Sequence, residues 1–208
     1  MSDAARLVHV VDDDESVRRS VAFMLKTSGY MVEQYSSGID LLKAGRNLAP
    51  GCILLDVRMA GMDGLEVQLA LQKNGIGFPV IIMTGHGDIP LSVRAMKAGA
   101  IEFIEKPFEK ELLIAAVEEG LALLERGDSA LSRAADANVR LQMLTVRERE
   151  VLDGLARGLP NKSIAYDLGI SARTVEIHRA NLMTKLGVRS LSEALRLAFA
   201  AQDLADRN

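Results

Sequence analysis

Three consecutive carboxylates, Asp12, Asp13 and Asp14, follow directly on the apolar run "LVHVV" (7–11), and Glu15 adds a fourth. Carboxylates set side by side repel, and each raises its neighbours' pKa unless a cation neutralises them. Three more polar residues close other apolar runs: Asp56 after "CILL", Thr84 after "PVIIM" and Lys106 after "IEFIE". Oxygen donors with no histidine or cysteine among them suit a hard divalent ion such as Mg²⁺ that keeps several waters. A carboxylate beside that ion can attack phosphorus as a nucleophile, while metal, ammonium and hydroxyl neutralise the equatorial oxygens of the transferring group. Each residue also has an ordinary reading: Asp13 or Asp14 as a helix cap, Thr84 as a partner for loop amides, Lys106 as a solvated charge before Pro107.

For these groups to act together, the chain must carry them to one rim. Five short apolar runs, at 7–11, 31–35, 52–56, 79–84 and 101–106, alternate with amphipathic stretches near 16–28, 37–45, 64–74, 89–98 and 109–125. Regular alternation of this kind predicts a five-stranded, doubly wound parallel sheet of α/β, flavodoxin-like architecture. Ligands of such sheets bind outside the carboxyl ends of the strands, where Asp12, Asp56, Thr84 and Lys106 would all stand.

Asp12-Asp13, "LLDVRMAGMDG", "VIIMTGHGD" and "FIEKPF", in this order across residues 6–125, resemble the receiver domain of two-component response regulators. The resemblance implies that Asp56 is the phosphoacceptor and that Asp12 and Asp13 are the acidic metal pair, with the Arg58 backbone carbonyl as a further Mg²⁺ ligand. It implies phosphoryl binding by Thr84 and Lys106, and a switch role for the aromatic Phe103 together with Thr84. The ordinary reading of Phe103, a core or surface phenylalanine, stays open beside this. The stretch from Thr84 to Phe108 resembles the FixJ branch, in which the fourth helix and fifth strand form the dimer contact after phosphorylation. Ala60 stands where the family usually has proline; the expected consequence is a change in loop rigidity, without contact to a ligand. Asp14 is expected to support the metal pair or to cap the next helix, and Glu15 to favour that helix's positive end. His9 reads as a satisfied core histidine, and His86 as a loop residue with no assigned role.

With 208 residues, 49% of them hydrophobic, the chain can bury a core in one large domain or two modest ones. No basic-plus-apolar leader and no run of about 18 apolar residues is present, which points to the cytoplasm and away from the membrane. The single Cys52 reads as a small buried hydrophobe, and it rules out a disulfide or a cysteine metal site. The net charge of −3 conceals an asymmetry: residues 1–125 hold 12 Lys/Arg against 18 Asp/Glu, and residues 126–208 hold 13 against 10. A basic second part is a candidate for a polyanionic partner.

Residues 126–142, "RGDSALSRAADANVRLQ", read as a linker, partly helical at most. Four helices are expected beyond it, near 145–157, 161–168, 172–186 and 190–201, with no strand. Thr145 and Glu148 form a capping box, Asn161 reads as a cap after Pro160, and Ser171 caps the third helix. Two helices joined by a short turn containing Gly169 make a helix-turn-helix. At 100° per residue, Val175, Leu182 and Leu186 fall within about 40° of one another as a core stripe. The opposite side presents Arg173, Glu176, Ile177, Ala180 and Thr184, a slim face suited to the major groove of DNA. Arg179, Asn181, Lys185 and Lys162 flank it toward the phosphates. A merely solvated polar face is the alternative.

"LTVREREVL", "GLPNKSIAYDLGIS" and "RTVEIHRANLMTKLGV", within 143–199, resemble the LuxR/NarL-type four-helix DNA-binding domain. That resemblance implies base contacts by Glu176, Ile177 and Ala180, and phosphate contacts by Asn161, Thr174 and Lys185. Many relatives have lysine where Glu176 and Ala180 stand, so the base preference should differ. The expected organisation is a receiver at 1–125, a linker at 126–142 and an all-α DNA-binding domain at 143–208. Its expected partners are a sensor histidine kinase, double-stranded promoter DNA, RNA polymerase and, after phosphorylation, a second copy of the chain. Turnover catalysis is not expected beyond formation and slow loss of the Asp56 phosphate. An aspartyl-phosphate phosphohydrolase is a poorer reading, because Arg58 stands where such enzymes carry a second aspartate. A phosphorylation-independent DNA-binding protein is the other alternative.

Overall fold

Continuous apolar runs make stable strands only where both faces of the sheet are covered, and the computed structural model shows this arrangement. It describes residues 6–85, 89–126 and 130–205; His86 lies outside them. The chain forms two units, Met1–Gly87 with Ala98–Gly127, and Asp88–Lys97 with Asp128–Asn208.

The first unit contains β1 (Leu7–Val11), β2 (Met31–Tyr35), β3 (Cys52–Asp56), β4 (Val80–Thr84) and β5 (Glu102–Glu105), all parallel, in the order β2-β1-β3-β4-β5. With them go α1 (Glu15–Thr27), α2 (Gly38–Ala44), α3 (Gly64–Lys73) and α5 (Lys110–Arg126). On one face Val8, Val10, Cys52, Leu54, Ile81 and Met83 pack with Val21 and Leu25 of α1 and Leu113 and Val117 of α5. The Cys52 thiol belongs to this core, where burial pushes its pKa up to about 12 and leaves it unreactive. Alternation along the strands turns Leu7, His9, Val11, Ile53 and Leu55, also buried, to the other face. His9 is only half satisfied there: Nε2 is 2.9 Å from the Ala49 carbonyl, while Nδ1 lies 3.2 Å from Glu33 Oε2 without hydrogen-bond geometry.

The second unit holds α4 (Ile89–Lys97), α6 (Ala130–Leu141), α7 (Val146–Ala156), α8 (Asn161–Leu168), α9 (Ala172–Leu186) and α10 (Leu191–Ala205). α6 is a difference from the sequence reading, which allowed the linker partial helicity at most. Four alanines favour the helix, Arg140 pairs with Asp136 one turn back at 3.0 Å, and Ala137 is fully buried. A second difference concerns Asn161. Pro160, in extended conformation, is the residue before the first helical turn, no side chain caps α8, and the Asn161 amide turns to Arg179 instead.

Candidate functional site

Order reverses between β1 and β3, so the chain leaves these neighbours in opposite directions and opens a crevice at their carboxyl ends. Asp12, the residue after β1, and Asp56, the last residue of β3, flank it; both are buried, whereas Asp13 is exposed. One oxygen from each of the three carboxylates lies within 4.8 Å of the others. The Lys106 ammonium bridges two of them, 2.6 Å from Asp12 Oδ2 and 2.6 Å from Asp56 Oδ1. Burial lowers the lysine pKa, but the hydrogen bonds and charges of Asp12 and Asp56 outweigh it and raise the value on balance. For Asp56, burial outweighs Lys106 and pushes the carboxyl above its ordinary range. A carboxylate with raised basicity beside a fixed ammonium is a competent nucleophile when ionised.

Backbone contacts hold the frame. The Lys106 N–H donates to the Thr84 carbonyl at 2.7 Å, bringing the ends of β4 and β5 to the same rim, with Thr84 fully buried. The Arg58 N–H bonds to the Asp56 carboxylate, and Phe103 is half-buried on β5. Asp14 caps α1, its Oδ1 accepting from the Ser16 N–H at 2.8 Å and the Ser16 hydroxyl at 2.6 Å; these bonds hold its carboxyl below the usual range. The Asp14 N–H in turn donates to Asp12 Oδ1 at 2.9 Å. Asp14 thus both starts the helix and helps to hold the Asp12 carboxylate in place.

Two residues here were missed from sequence, and a third was expected to touch none of the candidate ligands. Arg18, one turn into α1, donates Nη1 to the Asp12 carbonyl at 2.7 Å and fixes the loop from behind. Gly64 lets α3 begin against β3, since a Cβ would sit 2.2 Å from the Asp56 carbonyl oxygen. The third is Ala60, whose N–H donates to Asp13 Oδ2 at 3.0 Å. The expectation that Ala60 touches no ligand candidate is therefore corrected. A side-chain reading overlooks it because the contact is made by the backbone.

In the helical unit, Gly169 ends α8 in the left-handed conformation (φ 65°), which glycine adopts without penalty, and Ser171 caps α9 by accepting from the Thr174 N–H at 3.1 Å. Val175, Leu182 and Leu186 are buried, which leaves Arg173, Glu176, Ile177, Ala180, Asn181 and Thr184 exposed along one side of α9. Ile177 stands 52% exposed, an apolar side chain offered to solvent beside polar neighbours. Lys162 is exposed on α8 and Thr174 is half-buried, its hydroxyl 2.8 Å from that of Ser171.

The remaining cations are engaged. Arg179 Nη1 donates to Asn161 Oδ1 at 3.1 Å, joining α9 to the start of α8. Lys185 Nζ lies 2.7 Å from Oε2 of buried Glu148, the same oxygen that accepts from the Thr145 N–H in the capping box. The Lys185 hydrogen bond, with burial opposing it, holds the Glu148 carboxyl down to about 2. A depressed carboxyl contributes stability above its unfolded value, near 4.5, that is lost as pH falls toward about 2. Lys185→Met should therefore cost the unit about 1.5 kcal/mol at neutral pH, a charged hydrogen bond discounted for the partial exposure of the ammonium, and should flatten the acid limb. Urea unfolding by circular dichroism between pH 7 and 2.5 measures both.

The family model for the response regulator receiver domain matches residues 8–118, and that for bacterial regulatory proteins of the luxR family matches residues 142–198. The transcriptional regulatory protein FixJ of Azorhizobium caulinodans is 50% identical over 194 residues, 93% of this chain and 92% of the relative. FixJ of Rhizobium meliloti is 47% identical over 93% of this chain and 95% of its own. Full-length FixJ from B. japonicum superimposes with a TM-score of 0.58 at 42% identity, covering 98% of this chain and 99% of that one. The chain therefore belongs to the FixJ-type response regulators, transcription regulators that join a receiver domain to a LuxR-type DNA-binding domain.

Proposed function

We propose that Asp56 accepts a phosphoryl group from the phosphohistidine of a sensor kinase and that the resulting acyl phosphate drives dimerisation and promoter binding. In this reaction an Asp56 oxygen forms the new O–P bond as the donor's N–P bond breaks, and the imidazole leaves with a solvent proton. The observation that carries the reading is Lys106 spanning Asp12 and Asp56 at 2.6 Å each, with Asp13 beside them. The donor set is all oxygen, so Asp12, Asp13, Asp56 and the Arg58 carbonyl fit Mg²⁺, which when bound supplies the positive charge that the transferring group requires. Lys106 neutralises one equatorial oxygen and the Thr84 hydroxyl binds another, Thr84 and Phe103 then carrying the altered state to the surface. Loss of the phosphoryl group is slow self-hydrolysis, so the chain is a switch without turnover on a separate substrate.

The output surface is α9. Arg173, Glu176, Ile177 and Ala180 read bases in the major groove; Asn161, Lys162, Thr174, Arg179, Asn181 and Lys185 contact phosphates. The working division is a receiver at 1–125, a linker at 126–142 and a DNA-binding domain at 143–208. RNA polymerase is the partner that converts promoter binding into transcription, and the site of action is the cytoplasm. Among the described residues no helix is long and apolar enough to cross a membrane.

Thermal unfolding with and without Mg²⁺ tests the pocket. At a hundredfold excess over Kd, Mg²⁺ should stabilise the wild-type chain by about 2.7 kcal/mol. Asp13→Ala should remove that shift and the capacity for phosphorylation together. An equal Mg²⁺ shift in both proteins would contradict the assignment.

A further inference from the structure

Lys106 neutralises Asp12 and Asp56 and makes no bond to Asp13. Among the described residues the hydrogen-bond partner of the Asp13 carboxylate is the Ala60 N–H, 3.0 Å from Oδ2. Ala60 lies four residues beyond Asp56 and two beyond Arg58, so this bond ties the loop after β3 to the loop after β1. Every amino acid except proline supplies that N–H. Mg²⁺ demands near-ideal octahedral geometry, and a hydrogen bond to one carboxylate oxygen narrows the orientations open to the group while leaving its other oxygen for the ion.

We infer that Ala60 is a positioning residue for the metal site: its backbone N–H orients Asp13 and thereby sets the affinity for Mg²⁺. The inference rests on the reading of Asp12, Asp13 and Asp56 as the Mg²⁺ site. It assigns a role to the identity of residue 60 through the presence of its N–H, independent of its methyl group. Partners that orient metal ligands contribute roughly 10- to 100-fold in affinity, and the exposure of this bond places it at the lower end.

The test is isothermal titration of full-length wild-type, Ala60→Ser and Ala60→Pro proteins with Mg²⁺. Ala60→Pro should weaken Kd by about tenfold, while Ala60→Ser, which keeps the N–H, should stay within about twofold of wild type. Equal or tighter binding by Ala60→Pro, or an equal loss in Ala60→Ser, would overturn the inference. If Ala60→Pro fails to fold by circular dichroism, amide exchange decides. The Ala60 amide of the wild-type chain should exchange more slowly than that of Asp13→Ala, and should stay slow when Mg²⁺ is added. Exchange as fast as in Asp13→Ala, or acceleration by Mg²⁺, would overturn it. A wild-type chain that binds no Mg²⁺ would instead sink the metal-site reading itself, an outcome separate from equal binding by the variants.

Discussion

Asp56→Asn protein incubated with acetyl phosphate and Mg²⁺ should gain no phosphoryl group by intact mass, whereas the wild-type chain should gain one. The amide matches the carboxylate in shape, so the fold and the packing around Gly64 are kept, but it lacks the nucleophilic oxygen charge. The loss should be complete, because no other carboxylate in the crevice combines burial with a 2.6 Å bond to Lys106 and a place at the end of β3; Asp12 shares the lysine yet lies one residue past its strand. A modified Asp56→Asn protein, with the group mapped by peptide analysis to Asp12 or Asp13, would move the phosphoacceptor.

The second large effect is expected on DNA. With roughly three to five phosphate contacts per subunit, binding by a dimer should lose on the order of 10³ or more in affinity between about 50 and 200 mM salt. Ile177→Lys should change which sequence is preferred, since this side chain stands 52% exposed at the centre of the α9 face, among groups suited to base edges. Lys162→Ala should weaken binding to all sequences alike and reduce the salt slope by about one. A flat salt response would contradict the assignment of α9 and its flanking cations.

Much of this arrangement is legible in the chain because the sheet is parallel and covered on both faces. Strands such as "CILLD" and "VIIMT" are then unbroken apolar runs, and each ends where its polar residue begins. Asp12, Asp56, Thr84 and Lys106 follow from that rule alone once the topology is assumed. Capping boxes are equally readable, as Thr145 with Glu148 shows, because their partners are fixed three residues apart. What sequence hides is the use of backbone atoms and of partners distant along the chain. The Ala60 N–H on Asp13, the Arg18 guanidinium on the Asp12 carbonyl and the Asp56 carbonyl against Gly64 all involve main-chain atoms that carry no compositional signal. Lys185 likewise has a partner that its residue type does not announce, since Glu148, 37 residues earlier, lies buried 2.7 Å from its ammonium. Asn161 reads as a cap because its residue type favours one, but Pro160 already takes that place and Arg179 claims the amide.

The central expectation is a coupling between the Asp56 pocket and the α9 surface. Fluorescence anisotropy on a duplex selected from random sequence with the phosphorylated protein measures it directly, at one fixed salt concentration. The wild-type chain with acetyl phosphate and Mg²⁺ should bind about tenfold or more tightly than without them, as expected for coupled sites, and Asp56→Asn should bind weakly in both conditions. Equal affinity of the wild-type chain with and without phosphorylation, matched by Asp56→Asn, would contradict it.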